Sequence, residues 1–598
     1  MNTKIITTLA LMSVASLSVW AQDQAQTPDQ DELNTRHVTV EHEFQPTVQK
    51  ASKINVNPQS LPEQKVEEQP VVWSDYVGSM EAGKSIISLP NETIAIPRKN
   101  DSIHGEMKGG IGHPQSLFEF RYGFGQKKNR IDIDVNHRAY WGERMDERTG
   151  FQLRFDHDYG DGNFILRAGG SNECFRYYGR QDSALRNDLQ NIWRFNADLG
   201  VKSNDKQDFQ YLVRAEYKLF SRVGSVAEHQ VNAQINLAYR MEDHRFGVDL
   251  RSQNQLLHVD DSLAAAMVAY DGREVHNVYA LRMEPFYEWH NRRVRLHVGV
   301  HLDMNIGRGV MNSKYTDNVK SQVAFAPSPN VQVEADLMPK TVIIYGKAEG
   351  RFGYSDMDGY TRQCRYYSSG FSAASEHVSS YRPIIAEVGF RFRPIKPLLI
   401  SVHGGYEYVM NDKVYAMGHR LFEGGEYAKD YYTNYQRWKF GAQVDYHYRD
   451  IIDVHVWGDY YMFRGVKTFL DGGGESDPGT PTDIFDRPSW EIGTKIVGHI
   501  DQHWSVYTWD ELMGKRSNIV ADKAVELGQS TTIREEVLPV YVDINLGVKY
   551  HFAGTKNKAL DRLGLFFELK NIIHRRNVIW YGYTSQGING LIGLTWAF

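Results

Sequence analysis

From about residue 103 onward, apolar and polar residues alternate along most of the chain. Ile131, Ile133 and Val135 alternate with Asp132, Asp134 and Asn136. Val213, Ala215, Tyr217 and Leu219 alternate with Arg214, Glu216 and Lys218. Val294 to Leu302 and Val540 to Val548 repeat the pattern. Period 2 sustained over about 8–12 residues marks strands with one apolar face. The connections alternate in length. Short ones fall near Gln126–Asn129, Gly160–Gly162, Glu242–Asp243, Asn291–Arg292, Pro339–Lys340, Pro394–Lys396, Arg449–Asp450 and Asp501–Gln502. Long ones fall near Tyr178–Gln190, His258–His276, Asn305–Asn330, Gly353–Ser380, Met410–Tyr435, Arg464–Arg487 and Met513–Leu538. This predicts an all-β chain: a transmembrane antiparallel up-and-down β-barrel of about 22 strands (about 18–22), with turns on one side and long loops on the other. The 40–50-residue repeat of a soluble propeller is absent from the sequence.

The two ends add to this picture. Ile592, Leu594, Trp596 and Phe598 share one face of a final alternating segment, as in a strand that closes a barrel. At the other end, Lys4 precedes an apolar run from Ile5 to Trp20, and Val19-Trp20-Ala21 forms a cleavage-site pattern. Residues 1–21 are therefore expected to be a signal peptide. Residues 22–102 are polar, with Pro28, Pro58, Pro62 and Pro70. They are expected to form an extended or partly disordered periplasmic arm, leaving 103–598 as the barrel. No run approaches the roughly 20 apolar residues of a spanning helix.

Composition narrows the function classes. The mean hydropathy of -0.51 suits a barrel whose strands are half polar. A net charge of -6 on 598 residues argues against nucleic-acid binding. The two cysteines, Cys174 and Cys364, exclude a disulfide-built scaffold. Both lie near predicted outer loops, and an exported compartment permits a disulfide between them if those loops fold across the mouth. His297 and His301 share a strand face but sit about 13 Å apart along it, so no metal is assigned to them. The acidic loop Asp471–Gly479 lacks EF-hand spacing, and no G-x-S-x-G or triad spacing occurs. No catalytic residue, metal or cofactor is assigned, and the chain is read as a non-enzyme.

The last strands, Leu565 to Ile572, Tyr581-Gly582-Tyr583 and Gly590 to Phe598, resemble the C-terminal end of TonB-dependent receptor barrels. The arm sequence Val38 to Val48 and Ala51 to Ile54 resembles that of receptor-like Gram-negative barrels without a full plug. The arm lacks a plug's glycine-rich signatures, so energised import through plug rearrangement does not follow. The resemblance implies a porin-like outer-membrane transporter or channel taking up a nutrient. Its partners would be outer-membrane lipid, the barrel assembly machinery, and TonB or a periplasmic or surface lipoprotein. Val38, Thr39, Val40 and Glu41 are the candidate TonB box, a segment that adds a strand to its partner; a β-prone patch in the arm is the other reading.

Alternation turns charges of both signs inward: Arg214, Glu216, Lys218, Arg282, Glu284, Glu387 and Arg391, with others such as Asp132, Arg154, Glu334 and Lys347. Mixed signs favour ion pairing across strands over a pore of one dominant sign. A lumen filled by paired side chains, inward loops or the arm is expected. A structural or assembly barrel, scaffolding a complex through its arm and loops, is the alternative function.

Overall fold

A computed structural model of the chain describes residues 103–598 apart from 127, 143, 179–188, 205–206, 224–225, 260–276, 308–321, 340, 354–355, 367–379, 419–427, 450, 470–484 and 523–531. The signal peptide, the arm with Val38, Thr39, Val40 and Glu41, and the Asp471–Gly479 loop lie outside the described residues.

The sheet begins with β1 (Ile103–His113), β2 (Gln115–Gln126), β3 (Asn129–Tyr140), β4 (Asp146–Asp158), β5 (Gly162–Arg176) and β6 (Leu189–Ser203). It continues through β7 (Phe209–Arg222), β8 (Val226–Met241), β9 (His244–Val259), β10 (Val278–His290), β11 (Val294–Gly307) and β12 (Gln322–Met338). Next come β13 (Val342–Gly353), β14 (Ser380–Ile395), β15 (Leu398–Gly418), β16 (Ala428–Tyr448) and β17 (Ile452–Phe469). β18 (Trp490–His499) and β19 (Trp504–Met513) follow. A hairpin of β20 (Arg516–Asp522) and β21 (Thr532–Leu538) then leaves the wall. β22 (Tyr541–His551) re-enters beside β19, and β23 (Leu563–Lys570) follows. A small hairpin, β24 (Val578–Trp580) and β25 (Tyr583–Thr584), precedes the last strand, β26 (Asn589–Ala597). Setting the two hairpins aside, 22 antiparallel strands form a closed barrel.

Closure runs from Glu106↔Ala597 to His113↔Gly590 between β1 and β26. It ends in a reciprocal pair in which Gly105 N–H donates to the Phe598 carbonyl and Phe598 N–H to that of Gly105, each at 2.9 Å. The Phe598 ring packs at 6.3 Å from Phe120 and 6.5 Å from Tyr122. On β26, Ile592, Leu594 and Trp596 are 60%, 51% and 38% exposed, whereas Leu591 and Thr595 are 1% and 3%. The apolar side chains point out of the barrel and meet their solvent in lipid. Inside the seam, Lys108 reaches over Phe566 to Glu568 at 3.1 Å.

The strands approach closely at this seam because glycine lines it. A Cβ on Gly593 would lie 2.1 Å from the Gly109 carbonyl, a backbone atom that cannot move aside. A Cβ on Gly109 would meet nothing within 4 Å. Gly593→Ala should therefore lose about 1–3 kcal/mol through overpacking, and Gly109→Ala should not. Heat-modifiable migration of the refolded protein on SDS gels checks this. Equal behaviour of the two variants would show that the seam is not packed as described.

Candidate functional site: the capped mouth of the barrel

At the long-loop end, the connection after β13 folds inward as a short helix, α1 (Met357–Gln363). Its N-cap is Asp356, whose carboxylate accepts from Gly359 N–H at 2.6 Å, satisfying a donor that a helix start leaves open. Asp358 in the first turn and Arg362 in the last, 2.8 Å apart, pair at i,i+4 in the order the helix dipole favours. Met357, Tyr360 and Cys364 are 0%, 1% and 0% exposed, so the helix lies inside the mouth.

Strands far away in sequence hold it there. Met357 N–H donates to Glu228 on β8 at 2.8 Å, and Gln230 donates to Asp356 at 2.8 Å. Arg194 on β6 binds Asp358 at 2.5 Å and Glu173 on β5 at 2.7 Å. Arg365, just past the helix, binds Asp146 on β4 at 3.1 Å and Glu173 at 2.7 Å. Arg148 adds a third guanidinium to Glu173 at 2.9 Å. Burial alone would push the Asp358 carboxyl up, but Arg194 and Arg362 outweigh it and hold the group well below the usual carboxylate range. Burial likewise opposes the Arg365 charge, and Asp146 and Glu173 more than offset it.

Other loop segments complete the cap. Tyr366 stacks on Tyr583 of β25 at 3.5 Å, and Tyr178 meets Tyr583 edge-on at 5.3 Å. Tyr415 donates to Gln363 at 3.0 Å, and the Lys413 ammonium lies 3.7 Å from the Tyr360 ring centre. These two residues belong to the far end of β15, beyond a register slip between Val409 and Asp412. There β15 pairs in parallel with β20 through Ala416↔Ile519, Met417↔Val520 and Gly418↔Ala521. Arg516 of β20 donates to the carbonyls of Val578 and Ile579. The mouth thus has an aromatic core of its own, including Phe175, Tyr177, Tyr360, Tyr366, Tyr415 and Trp580.

Below the cap lies the charged wall. Arg214 donates to Asp198 at 2.6 and 2.8 Å, and Lys218 reaches Glu216 at 3.1 Å. Arg282 makes a two-pronged pair with Asp303 at 2.6 and 2.9 Å. Arg391 lies 3.7 Å from Glu334 and over the Tyr345 ring, and that tyrosine donates to Glu387 at 3.3 Å. The seven predicted wall charges therefore fall into three separate groups, on β7, β10 and β14. The carboxylates that complete them, Asp198 and Asp303, were not among the predicted residues. Their signal was there: each alternates with apolar neighbours on its strand.

His297 and His301, to which no metal was assigned, share a carboxylate from the neighbouring strand. Glu284 reaches from β10 between them, 2.9 Å from His297 Nε2 and 3.4 Å from His301 Nε2. Gly299 leaves the room, since a Cβ there would come 2.6 Å from the Glu284 carboxylate. Among the described residues no group of three His, Cys, Asp or Glu is arranged to hold a metal ion. The possible disulfide is not formed: Cys174 and Cys364 are not joined to each other. Cys174 sits between the inward, buried Glu173 and Phe175, so alternation turns it to the other face, where its thiol lies 3.4 Å from Asn172 Oδ1. Cys364 is buried in the cap. The loop does cross the mouth, but the thiols face apart.

No protein-family model matches the sequence, and no curated protein matches it. Solved structures do. The FrpB iron transporter from Neisseria meningitidis aligns with TM-score 0.60 and 8% identity over 84% of this chain and 82% of that one. Copper transporter OprC aligns with TM-score 0.56 and 12% identity over 83% and 80%. The ferric-catecholate import receptor Fiu from K12 E. coli aligns with TM-score 0.55 and 10% identity over 84% and 82%. The barrel has the fold of TonB-dependent receptor barrels.

Removing Arg365 takes the guanidinium from buried Asp146 and one of three from Glu173; leaving a buried charge without its partner typically costs about 3–5 kcal/mol. Arg365→Ala should lower the amide protection of residues 357–363 while leaving that of the wall strands unchanged. Hydrogen exchange reads this directly. The same amides report on pH. Asp358 has a depressed folded value, so its contribution is fully present at pH 7. It is lost as pH falls below the unfolded carboxyl value of about 3.9. Protection that persists unchanged to pH 2 would contradict the Asp358 latch.

Proposed function

We propose that the chain is an outer-membrane transporter whose long-loop end faces outward and whose lumen is the route for a nutrient. The observation that carries this reading is the cap. A loop inside the mouth is held by ion pairs to β4, β5 and β6, while the wall beneath it pairs with itself. Opening the cap leaves the barrel's own hydrogen bonds intact. The fold shared with proteins named as iron, copper and ferric-catecholate transporters supports the reading at the level of architecture. In this reading residues 22–102 form a periplasmic arm in place of a full plug, and Val38 to Glu41 offer the strand that TonB would pair with.

A second reading is favoured by the same buried ion pairs: a barrel sealed for strength, serving as a scaffold for an outer-membrane complex. Conductance in a planar bilayer separates the two. The full chain should be silent. Excising residues 357–366 together with 22–98 should give discrete current steps if the lumen is a passage. Silence in that double deletion, with the barrel still heat-modifiable, would move the assignment to the scaffold. A peptide spanning Arg36 to Phe44 that fails to bind TonB would leave passive transport.

A further inference from the structure

One stretch of the inner wall, just under the cap, holds more positive than negative charge. Glu407 is wedged between Arg382, at 3.1 Å, and Arg437, at 2.7 Å. Glu349 is shared by Lys347 at 2.9 Å and Arg351 at 3.6 Å. Four cations thus converge on two carboxylates. The next carboxylate, Glu387, is the register partner of Lys347; counting it still leaves one positive charge over. Arg282, nearby, is already neutralised by Asp303.

Two further observations make this more than a charge count. Arg351 and Arg382 are directly opposed across β13 and β14, where like charges destabilise a sheet. Regular alternation does not produce the opposition. The β13–β14 register slips between Glu349 and Arg351, and the β14–β15 register slips between Tyr381 and Ile384. Irregularities of this kind re-aim side chains and recur beside functional sites. Arg437 is 1% exposed, and its Nε and Nη1 make no hydrogen bond among the described residues. Glu407 meets one side of this guanidinium, and buried donors left open on the other side are costly. The side chains above it remain accessible from the lumen: Arg351 at 37%, Lys347 at 21% and Arg382 at 18%.

We propose that Arg351, Arg382 and Lys347, backed by Arg437, form an anion-binding site for a solute that presents two or more carboxylate or phosphate oxygens. Guanidinium forks match such oxygens in pairs, and basic linings are how channels select anions and phosphates. The site rests on the reading of the lumen as a passage and names the charge of what passes.

Calorimetry of the refolded full chain with pyrophosphate tests it. Binding is expected in the wild type, weakened about tenfold or more by Arg351→Gln and by Arg382→Gln, unchanged by Arg292→Gln in the β10–β11 turn, and weaker at high salt. Because the Arg351–Arg382 repulsion is relieved, Arg351→Gln without ligand should melt no lower than wild type, which separates lost binding from lost fold. No binding to the wild type, or wild-type affinity in both arginine variants, would overturn the site. Binding without uptake into proteoliposomes that carry the protein lacking residues 22–98 and 357–366 would keep the site and remove the transport reading. Uptake of pyrophosphate untouched by either variant would do the reverse.

Discussion

The pairing of β1 with β26 is the constraint on which the rest depends. In lipid a strand edge has no water to bond to, so a sheet there must close or not exist. Closure forces half of every strand inward. On a chain of 74 acidic and 68 basic residues, it therefore gathers charges of both signs into one confined space. The polar wall and its ion pairs are consequences of that seam. So is the density of glycine along it: a Cβ on Gly593 would strike the Gly109 carbonyl and one on Gly112 the Gly590 carbonyl.

The ion pairs divide by what sets them. Arg214–Asp198 and Arg282–Asp303 join neighbouring strands whose register is already fixed by backbone hydrogen bonds. They stiffen the wall and have little freedom to change. Arg365–Glu173 and Arg194–Asp358 join a loop to strands 192 and 164 residues away. No backbone ladder holds those partners together. They fix the position of the loop, and the backbone ladder of the wall does not depend on them. That asymmetry makes the cap, and not the wall, the part of this molecule suited to move.

Much of the barrel was legible in the sequence because a period of 2 is a property of each strand by itself. Val213 to Leu219 and Val294 to Leu302 announce strands, and the eight short turns fall where alternation lapses. The cap was not legible. Its strongest contacts link Arg365 with Asp146, Tyr366 with Tyr583, and Met417 with Val520. No local pattern relates these residues; only the closed barrel brings their strands around one mouth. The same limit explains Cys174. Proximity of the two cysteine-bearing segments could be imagined from the loops, but the outward turn of Cys174 depends on which residues of β5 face the lumen. The carboxylate that joins His297 to His301 comes from the next strand, so no pattern within β11 announces it.

The anion patch and the cap are not independent. Arg351 lies two residues before the end of β13, and Arg382 two residues after the start of β14. The loop carrying α1 leaves from one strand and returns to the other. The opposed guanidiniums therefore sit at the two feet of the loop that closes the mouth. Without a counter-anion, their repulsion strains the sheet where the loop is rooted, and an anion between them relieves it. The slip that sets Arg351 opposite Arg382 falls where the loop is rooted, and irregularities of this kind re-aim side chains.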